Sequence, residues 1–576
     1  MRSDTSDDPS LAALAADAWD TYLAAHPTAA TAVGDRRFDD RLPPNAPREE
    51  AALRAGLTEL LAAARAVKDA GPAGDDAVTA SALVEFLDAE LATREAGIDD
   101  WTVDPLEGPQ VALMAIESYQ AVDSPRDGAA MLARWAEMGP WLDRHVARVR
   151  ASLAAGRVSP SSAVRKTLAE VEALLAEATS GWAVLRPLAV ERPGWSEAER
   201  ARFADGLTAS AELGLRPALE RYRAFLADEL LPRVRPDERP GLVHLEGGLD
   251  AYGRLARART SLDLSSETVH RIGLEESARI DEELGVLAGR VLGTRDLPEA
   301  LARLRSDPSL HFARSDEIVA VAQASLDRAT AAIPGWFGIL PAARCDVVEI
   351  PGYEAEHTTI AYYRDPAADG SRPGQYYVNA TEATTRPRYE AEALAFHESV
   401  PGHHLQVAIA QERPELPAFR RFAGTTAFIE GWGLYAERLS DEMGLYSGDL
   451  DRIGILSFDG WRASRLVVDT GMHAFGWSRA EAIDFMARHT ALAENNIANE
   501  VDRYITWPGQ ALAYKLGQLE LLRLRAAARE RLGSRFDIRT FHDVVLGQGA
   551  LPLGTLGRVV EAWLGTLEDE GGVHPR

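Results

Sequence analysis

The chain has 576 residues, of which 46% are hydrophobic and 26% charged, a balance that excludes a disordered, collagen-like or fibrous protein. Its length suggests about three or four domain-sized units, or one large helical body with lobes. Lys+Arg total 62 against 88 Asp+Glu, a net charge of −26; such a field repels phosphate backbones, so no nucleic-acid partner is expected. Small basic or neutral substrates remain open. The single cysteine, Cys345, excludes an intrachain disulfide and any multi-cysteine metal site. It fits a reducing compartment. The acidic start Met1-Arg-Ser-Asp-Thr-Ser-Asp-Asp8 shows no apolar stretch behind a basic one, so no signal peptide is expected. No apolar run reaches the length a membrane helix needs. A cytoplasmic protein with no membrane partner is the expectation, and oligomeric state is left open.

From Ser10 to about Leu340 the pattern is helical and amphipathic. Arg48–Val67, Ala77–Glu95, Ala129–Ala155 and Ala163–Ser180 place Ala and Leu three and four apart, with acids and arginines between. Breaks fall at Leu42–Pro47, Gly71–Asp75, Pro193–Ser196 and Pro236–Pro240, where Pro and Gly cluster. No fixed-period repeat is present, which argues against a solenoid. The texture changes near Ala342. Asp346–Ile350, Thr358–Tyr363 and Gln375–Asn379 are short, β-branched or aromatic, and read as a small sheet, taken as antiparallel. Asp365–Gly374 reads as the loop between two of the strands. Helical periodicity resumes near Pro387. The expectation is a mainly α protein with two helical lobes around a deep cleft. Residues 1–340 would form the N-terminal lobe, and 341–576 the small sheet and a helical catalytic region.

The most chemical segment is Ala395-Phe-His-Glu-Ser-Val-Pro-Gly-His-His-Leu-Gln406, which holds three of the 13 histidines. The familiar zinc helix is H-E-x-x-H, with imidazoles at i and i+4 on one face and the glutamate as base. Here i+4 is Pro401. His403, at i+6, points roughly 240° away from His397 on a regular helix, so the two can share an ion only if the helix breaks between them. Pro401-Gly402 supplies such a break. His404, at i+7, regains the face but stands about 10 Å further along the axis. His403 is preferred and His404 is the alternative. A histidine-rich helix end without metal is the bland reading. For a third ligand the candidate is Glu430, in the apolar run Thr426-Ala-Phe-Ile-Glu-Gly-Trp-Gly-Leu-Tyr-Ala-Glu437, where an unpaired carboxylate is costly. Gly431 and Gly433 would let another helix or a metal come close. An internal ion pair with an arginine is the competing account of Glu430.

The strings His397–Gln406 and Glu430–Glu437 resemble signatures of a bacterial family, domain-of-unknown-function family 885. Leu466–His473, Glu500–Ile505 and Pro508–Lys515 add further matches, and the likeness is dense from about Val348 to Leu553. That family resembles gluzincin-type zinc metallopeptidases, helical carboxypeptidases and oligopeptidases with a cleft between two lobes. The resemblance implies one Zn2+ held by His397, His403 and Glu430, with Glu398 as general base. The insertion around Pro401-Gly402 departs from the standard peptidase helix.

Zinc with two imidazoles and one carboxylate keeps an open position, lowers the pKa of water and polarises a carbonyl. Glu398, next to the first ligand, would take the proton and pass it to the leaving amine. Arg465, Asp469 and His473 fall four apart on one helix face, so Asp469 would orient His473. Tyr514 and His473 are the candidates for hydrogen bonds to the transition state, and Arg503 for a substrate carboxylate. The strand Tyr376–Asn379 is a candidate edge for pairing with an extended substrate. Glu437 and Glu392 read as solvated helix positions. No phosphate-binding glycine loop, dinucleotide fingerprint or Gly-x-Ser-x-Gly is present. The expected function is zinc-dependent hydrolysis of peptide bonds in small peptides. A hydrolase acting on a peptide-like natural product, and a non-catalytic helical binding protein with a degenerate metal site, are the rivals.

Overall fold

A computed structural model describes residues 10–352, 360–367, 370 and 372–571, with side chains to residue 568. Thr358 and Thr359 of the second expected strand, and residues 368, 369 and 371 of the expected loop, lie outside the described residues. Helices carry most of the chain. The expected segments are observed as Pro47–Asp69, Gly74–Ala96, Pro125–Ala154 and Ser161–Ala176. The starts come earlier than periodicity suggests because capping residues precede the apolar stripe. At Ser124 the hydroxyl accepts from the Asp127 amide, while the Asp127 carboxylate accepts from the Ser124 amide at 2.9 Å. The last helix stops short of Ser180 because Glu177 turns extended, with ψ 152°.

Two of the hydrophobic cores show how the chain is assembled. One joins Leu14, Leu61 and Leu87 from the N-terminal helices to Phe428, Trp432, Leu521 and Leu556. The other gathers Trp135, Leu142, Trp182, Tyr222 and Phe225 from the helices between. Buried side chains of this size stabilise by about 1.5–3 kcal/mol each relative to exposure. The helix Asp449–His473, 25 residues long, is the central strut. It spans about 37 Å at the rise of an α-helix and runs along the helix Ser266–Val291. Their close approach depends on Gly273, where a Cβ would stand 2.7 Å from the Leu466 Cβ.

The sheet has three strands, β1 (Cys345–Glu349), β2 (Ala361–Arg364) and β3 (Gly374–Val378), in the order β1-β3-β2. It is mixed, not antiparallel as expected: β1 pairs parallel with β3, and β2 antiparallel with β3. The loop from Asp365 returns the chain antiparallel to β2, and β3 inserts between its two predecessors, which therefore run in opposite directions. Residues 376–378 thus lie on the central strand rather than at an edge, with backbone partners on both sides, Val347 facing Tyr376 and Tyr362 facing Tyr377. The edges belong to β1 and β2. Gly374, Tyr376 and Val378 alternate inward, and Tyr377 stacks outward on Tyr362 at 4.7 Å.

Candidate metal centre and active site

The helix carrying His397 ends at Glu398, and a second helix starts at His403 and runs to Gln411. Between them Ser399 (φ −106°, ψ −110°) and Gly402 (φ −79°, ψ −129°) leave helical space, and the Val400–Pro401 peptide is cis. A Cβ at Gly402 would drive into the carbonyl oxygens of Phe396 and His397, so only glycine lets the chain fold back so closely. The break turns the His403 ring toward His397. The two ring centres are 4.6 Å apart with planes at 86°.

The third group comes from the helix Thr426–Glu442. Glu430 Oε2 lies 3.5 Å from His397 Nε2 and 3.6 Å from His403 Nε2. In a tetrahedral site with bonds of about 2.0–2.1 Å, neighbouring donors stand roughly 3.3 Å apart. Ligand atoms of His397, His403 and Glu430 all fall within 4.8 Å of one another. The donor set, two imidazoles and a carboxylate, is the one zinc hydrolases use with an open fourth position, so the residues present fit such an ion. His404 turns away. Its Nδ1 accepts from the Tyr363 hydroxyl at 3.0 Å and its Nε2 donates to the Ala343 carbonyl at 3.1 Å. Burial lowers its pKa to about 4.

Glu437, one turn pair below Glu430, is buried rather than solvated, and accepts from His397 Nδ1 at 2.7 Å. A carboxylate in that place fixes ring orientation and tautomer and strengthens the other nitrogen as a ligand. Burial opposes a charge on His397, but the bonds to Glu430 and Glu437 outweigh it and raise the pKa to about 9. Burial also opposes ionisation of Glu430, yet both histidines hold its pKa well below the carboxylate range. Gly433 makes room for this arrangement, since a Cβ there would sit 2.5 Å from His397 Cε1. Gly431 instead faces the helix Leu512–Leu532, where a Cβ would meet the Gly517 backbone at 2.5 Å. The spacing of seven between Glu430 and Glu437 puts both on one helix face, and that was the signal for the orienting carboxylate. Glu392 is buried too, but it binds Arg328 at 2.6 Å and the Ser447 hydroxyl at 2.6 Å and serves packing.

Glu398 is partly buried and has no hydrogen bond or ion pair with any other described residue. Tyr514 is within reach of the charge of Glu430. Burial and that charge raise its pKa, and the cations Arg465 and Arg503 oppose them. It is therefore a phenol, able to donate, at neutral pH. Arg503 is tied down: one Nη donates to Gln510 Oε1 and the other to Glu500 Oε2, both at 2.9 Å. His473 is a correction. It is fully buried, its Nδ1 accepts from the Leu242 amide at 3.2 Å, and its Nε2 donates to the Tyr504 carbonyl at 2.9 Å. Burial lowers its pKa to about 4. Both nitrogens are spent on backbone, which leaves none for an oxyanion. Asp469 does not orient it; that carboxylate accepts from the Tyr252 hydroxyl at 2.6 Å and the Gly509 amide at 3.1 Å. Lys515, wholly buried, joins Asp459 and Glu276.

The solved structure titled "putative lipoprotein from Colwellia psychrerythraea" superposes with a TM-score of 0.87 at 26% identity, covering 97% of this chain and 100% of that one. One titled "putative lipoprotein of unknown function from Shewanella oneidensis" gives 0.75 at 16% identity, with 96% and 100% covered, and shares the fold. A "putative oligoendopeptidase F from Bacillus anthracis" reaches only 0.28 at 13% identity, with 91% and 97% covered, too little to carry a relationship. No curated protein matches the chain. The family described as bacterial protein of unknown function, DUF885, matches residues 27–560; with the likeness spanning nearly the whole length, the chain belongs to it.

Proposed function

We propose that this protein is a zinc-dependent hydrolase of peptide bonds in small peptides. The observation that carries the reading is the meeting of His397, His403 and Glu430 across a broken helix, with Glu437 hydrogen-bonded behind His397. Zinc held by these three would supply Lewis acidity, polarising a substrate carbonyl and making water a nucleophile near neutral pH. The remaining work falls to the chain. Glu398, adjacent to His397 and without another partner among the described residues, takes the water proton and delivers it to the departing amine. Tyr514 donates its hydroxyl hydrogen to the oxygen on which negative charge develops. Glu437 keeps the His397 ring from rotating. The two-lobed gluzincin-like architecture belongs to the same reading.

The test is elemental analysis with turnover. Purified protein should hold one zinc per chain, and His397→Ala should lose it. Glu398→Gln should keep the zinc and lose cleavage of a short-peptide library. Absence of zinc at every pH, or unchanged cleavage by Glu398→Gln, refutes the reading.

A further inference from the structure

Where the helices Asp449–His473, Glu494–Thr506 and Leu512–Leu532 meet, three arginines, Arg462, Arg465 and Arg503, gather around the ring of Tyr504 or Tyr514, and Glu500 is the carboxylate paired with two of them. Arg465 donates through Nη2 to Glu500 Oε2 at 3.0 Å and through Nε to the Tyr504 hydroxyl at 2.8 Å. Arg503 uses the same Glu500 oxygen at 2.9 Å, and the Tyr504 hydroxyl donates to it at 2.6 Å. One carboxylate thus serves two guanidinium groups. A third, Arg462, is only 6% exposed and makes no hydrogen bond or ion pair with any described residue. Its Nε and Nη1, and Nη1 of Arg465, are buried donors without acceptors.

Arg462 is held by aromatic faces, 4.0 Å from the Trp461 ring centre and 4.7 Å from that of Phe458. The Tyr514 ring lies 5.9 Å from Arg462 and 4.3 Å from Arg465. The carboxylates that act on Arg462 across space are Glu437 and Glu430. Glu437 is bonded to His397, and Glu430 faces the two metal-site histidines. Glu390, also within its field, is bonded to Ser457. Burial and the like charge of Arg465 lower the Arg462 pKa, as befits a cation without a counter-ion. An unpaired guanidinium in such surroundings is strongly unfavourable for folding alone. A planar guanidinium without a hydrogen-bonded partner matches a carboxylate.

We propose that Arg462, with the free Nη1 of Arg465, binds the terminal carboxylate of the peptide, making the reaction the removal of residues from the C-terminal end. This rests on the peptidase reading and adds a substrate class to it. In the reaction the bond between the scissile carbonyl carbon and the amide nitrogen breaks. Water's oxygen joins that carbon, and its proton goes to the departing amine through Glu398. The released fragment keeps its own carboxylate on Arg462. Arg503, bound to Gln510 and Glu500, instead helps fix Glu500 beneath this site. Tyr514 lies against both arginines and within the field of Glu430.

Binding and cleavage separate the two claims. The N-acetyl derivatives of alanine, leucine, phenylalanine and lysine, each as free acid and as amide, are titrated into the zinc-loaded protein by calorimetry. The free acid of at least one should bind 10-fold or more tighter than its amide, a margin typical of removing a partner from buried polar groups. Arg462→Met, which keeps the apolar stem, should abolish that preference while amide binding and zinc content stay unchanged. Wild-type protein that binds acid and amide equally, or binds neither, overturns the carboxylate site without use of any variant. So does full discrimination by folded Arg462→Met. In parallel, blocked peptides ending in a free acid should be cleaved with kcat/KM at least 100-fold above their C-terminal amides. Equal cleavage of both refutes the C-terminal assignment and leaves the peptidase reading standing. Preferential binding of acids with no cleavage of any peptide refutes the peptidase reading and leaves a carboxylate-binding pocket.

Discussion

Gly433→Ala asks whether the His397 ring position is what makes the metal site. The added methyl would lie 2.5 Å from His397 Cε1 and 2.7 Å from Nε2. Carbon–carbon contact wants about 3.5–4.0 Å, so the ring must retreat by about 1 Å or more. It has little freedom to do so, since Nδ1 is held by Glu437 at 2.7 Å and the His403 ring centre stands 4.6 Å away. Metal–ligand distances tolerate only about ±0.2 Å. Zinc should therefore be lost, while stability changes little: overpacking costs about 1–3 kcal/mol, and replacing a mid-helix glycine by alanine returns about 1 kcal/mol. The assay is zinc per chain by elemental analysis after dialysis, with thermal unfolding of the metal-free wild type and variant side by side. Gly431→Ala is the control. Its methyl would strike the Gly517 backbone at 2.5 Å, so it should lower the melting temperature by prising two helices apart. A Gly433→Ala protein that binds zinc as tightly as wild type would refute the ligand role of His397.

Other perturbations separate holding, chemistry and packing. Glu437→Gln keeps an acceptor for His397 Nδ1 but removes its charge, and should weaken zinc binding about 10- to 100-fold in chelator competition. Tyr514→Phe should lower kcat about 10²-fold or more with KM nearly unchanged in steady-state assays, as expected for a lost oxyanion donor. His473→Ala should leave the turnover of folded protein intact and cost stability in urea unfolding, because the Leu242 amide and Tyr504 carbonyl lose their partners; each unpaired buried group costs about 1–3 kcal/mol. Burial raises the carboxyl pKa of Glu390 and of Asp469 to about 7. Folding therefore favours their protonated forms, and their contribution is full near pH 4 and is lost as pH rises toward 7. Glu90 and Glu500 go the other way: burial opposes their charge, but basic partners hold both at about 2. Their contribution is present above pH 4.5 and lost as pH falls. Melting temperature against pH should accordingly be highest between about pH 4.5 and 6, and Asp469→Asn should flatten the decline toward pH 8.

What can be read from the sequence is what depends on neighbours along the chain. Helical stripes, proline and glycine breaks and the three short strands are local, and all appear near their expected positions. The order of those strands is not local. Both alternations of inward and outward side chains suit a parallel or an antiparallel partner, and only the insertion of β3 between β1 and β2 makes the sheet mixed. His473 shows the same limit. Four-residue spacing invites a pair with Asp469, but its partners are the amide of Leu242, 231 positions away, and the carbonyl of Tyr504.

The metal site lies between these cases, because its spacing is wrong for a regular helix and right for one that breaks in a particular way. Six residues from His397 to His403 would put the rings on different faces, and regular geometry favours His404 instead. The decision rests on Gly402. Its missing Cβ lets the chain approach the Phe396 and His397 carbonyls, and the turn spends His404 on Tyr363 and Ala343 while presenting His403 to Glu430. A standard zinc helix obtains convergence from its own periodicity, whereas here convergence belongs to the junction of two helices. The ligand geometry therefore depends on residues that donate nothing to the ion, Gly402 at the turn and Gly433 under the ring, and at these positions a single methyl group should cost metal affinity.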